Sequence, residues 1–273
     1  MTAPTTITVA RLARLAGTPE APVLLDVRTA EDAARDPRML PAAVSRDWRE
    51  TAAWGGECAG RAAAVICQRG AKISQGVAAW LRHAGARAGT LEGGFEAWAA
   101  AGLPLIPIGR LPPRDAQGRT VWVTRARPKV DRIACPWLIR RFVDPAAVVL
   151  FVAPPEVAAV AERFRATPFD IEDSHWSHRG ERCTFDVMLE EWGLAADPAL
   201  ARLAPIVRGA DTARPGLAPQ AAGLLAASLG LSRMHRDDLA QLDAGMGLYD
   251  AFYRWCRDAV AETHNWPTPG KGA

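Results

Sequence analysis

In the N-terminal part of the chain, short apolar runs alternate with stretches whose apolar residues recur at helical spacing. Pro22–Val27 (PVLLDV) and Ala63–Cys67 (AAVIC) are nearly continuous apolar segments, the pattern of strands buried on both faces, and Ala88–Leu91 is a weaker third. Between them Ile73, Val77, Trp80 and Leu81 fall at i, i+4, i+7 and i+8, one face of a helix over Ile73–His83. Phe95–Ala101 reads as a shorter helix, opened by Gly93-Gly94 and stopped by Gly102-Leu103-Pro104. Strands alternating with helices predict a parallel sheet flanked on both faces.

The pattern breaks at Gly102–Gly118, which holds four Pro and three Gly in 17 residues and reads as a linker. Beyond it, Thr120–Thr124 and Val148–Val152 are strand-like, and Asp131–Phe142 and Pro155–Ala166 are helix-like. From Cys183 onward the periodicity is mainly helical, over Cys183–Trp192, Pro198–Val207, Pro219–Leu229 and Leu239–Thr263. The expectation is an α/β chain: a parallel sheet flanked by helices over 1–106, a Pro/Gly-rich linker over 107–119, a mixed α/β to mainly helical domain over 120–264 and a flexible tail over 265–273.

Charge narrows the function classes. The net charge of +3 is spread evenly, with 12 basic and 10 acidic residues over 1–108 and 21 and 20 in the remainder, which argues against nucleic acid as a partner. No run approaches the ~18 apolar residues of a membrane span, so no membrane partner is expected. The N-terminus lacks the pattern of a signal peptide, so the cytoplasm is the expected compartment. Five widely spaced cysteines without a CxxC exclude a zinc knuckle and leave lone reactive thiols as the candidates.

The best of these is Cys67, in Cys67-Gln68-Arg69-Gly70-Ala71-Lys72-Ile73-Ser74. The segment follows a strand and opens a helix. Backbone N–H groups curled toward one point at a helix N-terminus stabilise an anion, and so stabilise a thiolate. Gly70 permits the sharp turn, and Arg69 and Lys72 add positive charge at the rim. A structural reading is also open, in which Cys67 is simply the buried end of a strand.

Residues 6–106 resemble the rhodanese (sulfurtransferase) domain. The carriers are Leu24-Leu25-Asp26-Val27-Arg28, the CxxGxK loop, and Leu91-Glu92-Gly93-Gly94-Phe95-Glu96-Ala97-Trp98, in that order. The resemblance implies a persulfide carried on Cys67, a thiosulfate-like donor and a thiophilic acceptor, with Gln68, Arg69, Gly70, Ala71 and Lys72 binding the substrate oxyanion. No cofactor is required for that chemistry, and Asp26 and Arg28 are implied to hold structure. The family commonly has Arg at the position of Lys72, and a lysine cannot bind an oxyanion bidentately.

Residues 121–258 resemble the chromate-resistance (ChrB-type C-terminal) domain. Val123–Asp144, Pro168-Phe169-Asp170, Ser177–Asp186 and Ile206–Asp211 carry that likeness. Read from the residues, this region offers two alternatives. One is a transition-metal ion on His178, Cys183, Asp186 and Asp211, since Cys183 and Asp186 share a helix face at i, i+3. The other is an oxyanion pocket for chromate or sulfate built from Arg125, Arg127, Lys129, Arg132 and Arg208. Arg132, Cys135 and Arg208 form the candidate site of this domain, with Cys135 as a second thiol at a helix start. Cys58 and Cys256 read as spectators.

Two functions follow as expectations: a sulfurtransferase linked to chromate resistance, or an oxyanion sensor whose thiol reports the oxidant and which does not bind DNA directly.

Overall fold

The computed structural model describes residues 5–263; the expected tail lies outside the described residues. The first domain contains β1 (Thr6–Ile7), α1 (Val9–Leu15), β2 (Val23–Asp26), α2 (Ala30–Arg35), β3 (Arg38–Met39), β4 (Ala43–Ser45), α3 (Thr51–Trp54), β5 (Ala62–Ile66), α4 (Lys72–His83), β6 (Arg87–Leu91), α5 (Gly94–Ala100) and β7 (Ile106–Pro107). Five of these strands form one parallel sheet in the order β1-β6-β5-β2-β4. β3 and β7 pair separately and antiparallel.

Alternation along the central strands sorts the core. Leu24, Ala64 and Ile66 face one side with Leu12, Phe95 and Trp98. Leu25, Ala63, Val65 and Cys67 face the other with Val77, Ala78 and Leu81 of α4. Successive side chains of a strand point to opposite faces, so a nearly continuous apolar run is required here. The sheet's carboxyl edge is fixed by Asp26 and Arg28, both buried. Arg28 Nη2 lies 2.9 Å from the Asp26 carboxylate, and the guanidinium sits 3.9 Å from the centroid of Phe95. These two residues hold β2 against α5 and the start of β3, where Arg28 also donates to the carbonyls of Asp36 and Arg38.

The second domain contains β8 (Val121–Arg125), α6 (Asp131–Leu138), β9 (Val148–Val152), α7 (Val157–Phe164), β10 (Thr167–Pro168), α8 (Thr184–Glu191), α9 (Pro198–Asp211), α10 (Ala221–Met234) and α11 (Asp238–Arg254). Its sheet is parallel, in the order β10-β8-β9. Trp122 faces the core shared with α6 and α8, whereas Val123 faces α7. The helix expected to run to Phe142 ends its α-helical part at Leu138 and continues as a wider π turn over Ile139–Val143. The last helix ends in the same way, with a π turn over Trp255–Ala259.

One core cluster runs from the first domain into the second. Leu12, Leu24, Leu40 and Trp98 belong with Trp137, Phe142, Phe185 and Tyr253. Ala42 N–H donates to the Phe142 carbonyl at 2.5 Å, and Phe142 lies so close to Gly17 that a Cβ there would stand 2.2 Å from the ring. The segment between the domains also packs: Leu111 touches the common core, and Arg110 pairs with Glu191 at 2.7 Å.

Candidate functional site

Cys67 leaves the end of β5 at the carboxyl edge of the parallel sheet, where open α/β sheets bind ligands. Its Sγ lies 3.2 Å from Ser74 Oγ, in the first turn of α4, and the Ser74 hydroxyl donates to the Ala71 carbonyl at 2.9 Å. A hydroxyl rotates freely, so the same group can turn its proton to a thiolate. Burial pushes the Cys67 thiol up. The Ser74 hydroxyl and the N–H groups of Ser74, Ala71 and Arg69 outweigh burial, and the thiol is held below its ordinary range. Such a thiol is more ionised near neutrality than a free one.

The loop is clamped from behind by the Gly93-Gly94 turn. Phe95 N–H donates to the Cys67 carbonyl and Glu96 N–H to the Gln68 carbonyl, both at 3.0 Å. Gly70 (φ +68°) and Gly94 (φ +61°) make this approach possible: a Cβ on Gly94 would stand 2.2 Å from the Cys67 carbonyl oxygen. The Gln68 and Arg69 side chains turn to Glu96, at 3.1 and 3.3 Å, so they stiffen the rim. Lys72 is exposed and forms no ion pair among the described residues, unlike Arg69, which pairs with Glu96.

The second domain assembles a different constellation at the carboxyl ends of β8 and β10. His178 Nε2 stands 3.2 Å from Asp211 Oδ2, 3.4 Å from Asp170 Oδ1 and 3.7 Å from Asp131 Oδ2. Asp131 opens α6 and is 1% exposed; its two oxygens accept the N–H groups of Thr184 and Phe185 at the start of α8. Burial and the charges of Asp211 and Asp170 push its carboxyl well up. Burial also raises Asp170, but His178, Arg132 and Arg125 overcome it and hold this carboxyl low. The Asp170 and Asp211 carboxylates raise His178 to about 10. An open cavity of about 620 Å³, lined by Asp170, His178, Ser174 and Ser177, connects this cluster to solvent.

Of the residues expected at a metal, His178 and Asp211 converge, and they meet Asp131 and Asp170, which sequence reasoning did not assign to that site. Cys183 and Asp186 turn to another task. Asp186 accepts the Cys183 N–H at 3.1 Å and is gripped by Arg208 at 2.8 and 2.9 Å, a capping box reinforced by an ion pair. Cys183 is fully buried, and burial with the neighbouring Asp131 and Asp186 charges pushes its thiol up. Cys135 is equally buried, and burial and Asp131 push its thiol well up, so it packs rather than reacts.

The arginines of the expected oxyanion pocket have internal partners. Arg125 and Arg132 pair with Asp170, Arg127 caps the carbonyls of Ser232, His235 and Arg236, and Arg208 holds Asp186. Arg132, Cys135 and Arg208 therefore surround the His178 cluster by gripping Asp170, Asp131 and Asp186 separately.

The first domain is a parallel sheet flanked by helices, similar in fold to rhodanese-like proteins, with Cys67 at the head of the loop between β5 and α4. Residues 122–256 match the family described as ChrB, C-terminal domain. Protein ChrB of Cupriavidus metallidurans is 36% identical over 160 residues, covering 56% of this chain and 46% of that protein. The chain therefore spans about half the length of the curated relative it matches. A rhodanese-related protein from Thermoplasma volcanium is similar at 24% identity, covering 37% of this chain and 96% of that one, with a TM-score of 0.32. A rhodanese-like domain protein from Staphylococcus aureus is similar at 26% identity, over 34% and 90%, with a TM-score of 0.31. Among the described residues no helix is long and apolar enough to cross a membrane.

Proposed function

We propose that this chain is a cytoplasmic sulfane-sulfur transferase that uses Cys67, and that it serves chromate resistance through its ChrB-type domain. The observation that carries the reading is the sulfur's surroundings. Sγ stands 3.2 Å from the Ser74 hydroxyl, and that group together with the N–H groups of Arg69 and Ala71 in the loop and of Ser74 in the first turn of α4 keeps its thiol low despite burial.

The chemistry follows from that cradle. The Cys67 thiolate attacks the outer sulfur of a thiosulfate-like donor; the donor's S–S bond breaks and sulfite leaves with the electron pair. Cys67 then carries a persulfide, whose terminal sulfur sits where the loop N–H groups stabilise negative charge. A thiolate acceptor attacks that terminal sulfur, takes it, and returns Cys67 as a thiolate. Lys72 offers charge to the departing oxyanion, and neither half-reaction requires a metal or organic cofactor.

Single-turnover assays with thiosulfate and with alternative persulfide donors test this. The expected result is cyanide-reactive sulfur, one per chain, that disappears in Cys67→Ser. No labile sulfur on the wild type with any donor would exclude the transferase reading. Comparing Cr(VI) loss between wild type and Cys67→Ala decides whether the sulfur supplies electrons to chromate. Equal rates would leave the thiol out of that step.

A further inference from the structure

We infer that Asp131, Asp170 and His178 form a binding site for one divalent first-row metal ion, with Asp211 completing the set. The inference goes beyond the Cys67 reading and does not depend on it.

The three residues come from separate segments, and each can offer one ligand atom with all three atoms within 4.8 Å of one another. The spacing is that of a coordination sphere. Ligand atoms on an ion with ~2.1 Å bonds stand ~3.0 Å apart at octahedral angles and ~3.4 Å apart at tetrahedral ones. Nε2 of His178 stands 3.4 Å from Asp170 Oδ1 and 3.7 Å from Asp131 Oδ2, with Asp211 Oδ2 at 3.2 Å. A hydrogen-bonded imidazolium accounts for less of this. It has one N–H at Nε2, which serves one acceptor well, whereas here three carboxylate oxygens surround that nitrogen.

The outer contacts have the form of a metal's supporting shell, in which the ligating carboxylates are themselves hydrogen-bonded. Asp170 turns Oδ2 to Arg125 and Arg132 and presents Oδ1 to His178. Asp131 accepts Phe185 N–H and the Cys135 thiol at Oδ1, and at Oδ2, which faces His178, it accepts Thr184 N–H at 2.7 Å. Asp131 is 1% exposed and forms no ion pair with Lys or Arg among the described residues. The side of β8 that α6 and α8 cover also holds an unpaired polar group. Thr124 is completely buried and its hydroxyl has no partner among the described residues. Strand alternation puts it on the same side of β8 as Trp122, the side that α6 and α8 cover, at the strand's carboxyl end.

The donors are oxygen-rich with a single imidazole and no thiolate. That set suits manganese(II) or iron(II), and zinc(II) after them. The cavity leaves the ion reachable by solvent and small ligands on the His178 side.

The test uses the full-length protein, stripped with chelator and titrated with Mn(II), with Fe(II) under anaerobic conditions, and with Zn(II), following binding by calorimetry and the melting temperature. The expected result is one ion per chain for at least one metal, with a raised melting temperature. His178→Gln, at a half-exposed residue, and Asp170→Asn should each weaken binding by at least about tenfold. Cys183→Ser should bind as the wild type does. No binding of any of the three metals overturns the proposal, as does equal affinity in His178→Gln and wild type. Loss of binding in Cys183→Ser alone would overturn it too, by moving the ion to the thiol.

Discussion

The two sites of this chain solve opposite electrostatic problems by opposite means. At Cys67 an anion is stabilised by neutral dipoles: backbone N–H groups and one hydroxyl, drawn almost entirely from eight consecutive residues. At His178 several carboxylates are brought together from Asp131, Asp170 and Asp211, held by side-chain cations and, for Asp131, by the Thr184 and Phe185 N–H groups. The first site is local in sequence and depends on backbone shape. The second is dispersed and depends on tertiary packing. Each is therefore expected to fail in its own way when residues are removed.

The largest effect separates the two sites outright. Cys67→Ser removes the nucleophile, and labile sulfur should fall to background, while Mn(II) binding stays at its wild-type affinity. Labelling with a sulfane donor and calorimetry on the same sample check this. Loss of both would mean that the sites are coupled through the common core.

Backbone shape gives the next largest effect. Gly94→Ala places a methyl group 2.2 Å from the Cys67 carbonyl oxygen, at a φ of +61°, so either the loop or the turn must move. A cost of about 1–3 kcal/mol in stability is expected, from strain at a position that has no room to give. Denaturant unfolding reads that cost, and thiol alkylation should slow along with it. The comparable change at the second site is Asp131→Ala. It leaves the Thr184 and Phe185 N–H groups buried and without their acceptor, a loss of about 1–3 kcal/mol. Here the thiol should react at its normal rate.

The same contrast explains what could be read from the amino acids. Val23–Asp26, Ala62–Ile66 and Lys72–His83 follow the apolar pattern closely, because strands buried on both faces and a one-sided helix leave periodic traces. The edge pieces β1 and β10 have two residues each, too few to carry any period; pairing register alone defines them. The Cys67 loop was legible because its chemistry is contiguous. The His178 cluster was half legible. Asp170 sits in an irregular turn with φ +51°, and Asp131 lies 47 residues before His178 in sequence; only the parallel crossovers of the second sheet bring them together. The i, i+3 pair Cys183 and Asp186 misled for a physical reason. That spacing also belongs to a capping box, in which the acidic side chain returns to the N-cap N–H, and this is the arrangement the two residues adopt.

The smallest and sharpest effect concerns Ser74. If the thiolate rests on dipoles, deleting one should raise its pKa without disturbing the fold. Ser74→Ala removes the hydroxyl 3.2 Å from Sγ and leaves the three N–H groups in place. The sign is fixed by the present balance, in which burial raises the thiol and hydrogen bonds lower it. For wild type, the alkylation rate plotted against pH should have its midpoint below that of a free thiol, so that reactivity falls away only on the acid side of that lowered midpoint. In Ser74→Ala the midpoint should move up by about one unit, equivalent to ~1.4 kcal/mol, and the rate near pH 7 should fall several-fold. The high-pH plateau should stay close to wild type, because the nucleophile is unchanged once ionised. A midpoint that does not move would transfer the stabilisation to the N–H groups alone, and the cradle of Cys67 would then be a property of the backbone.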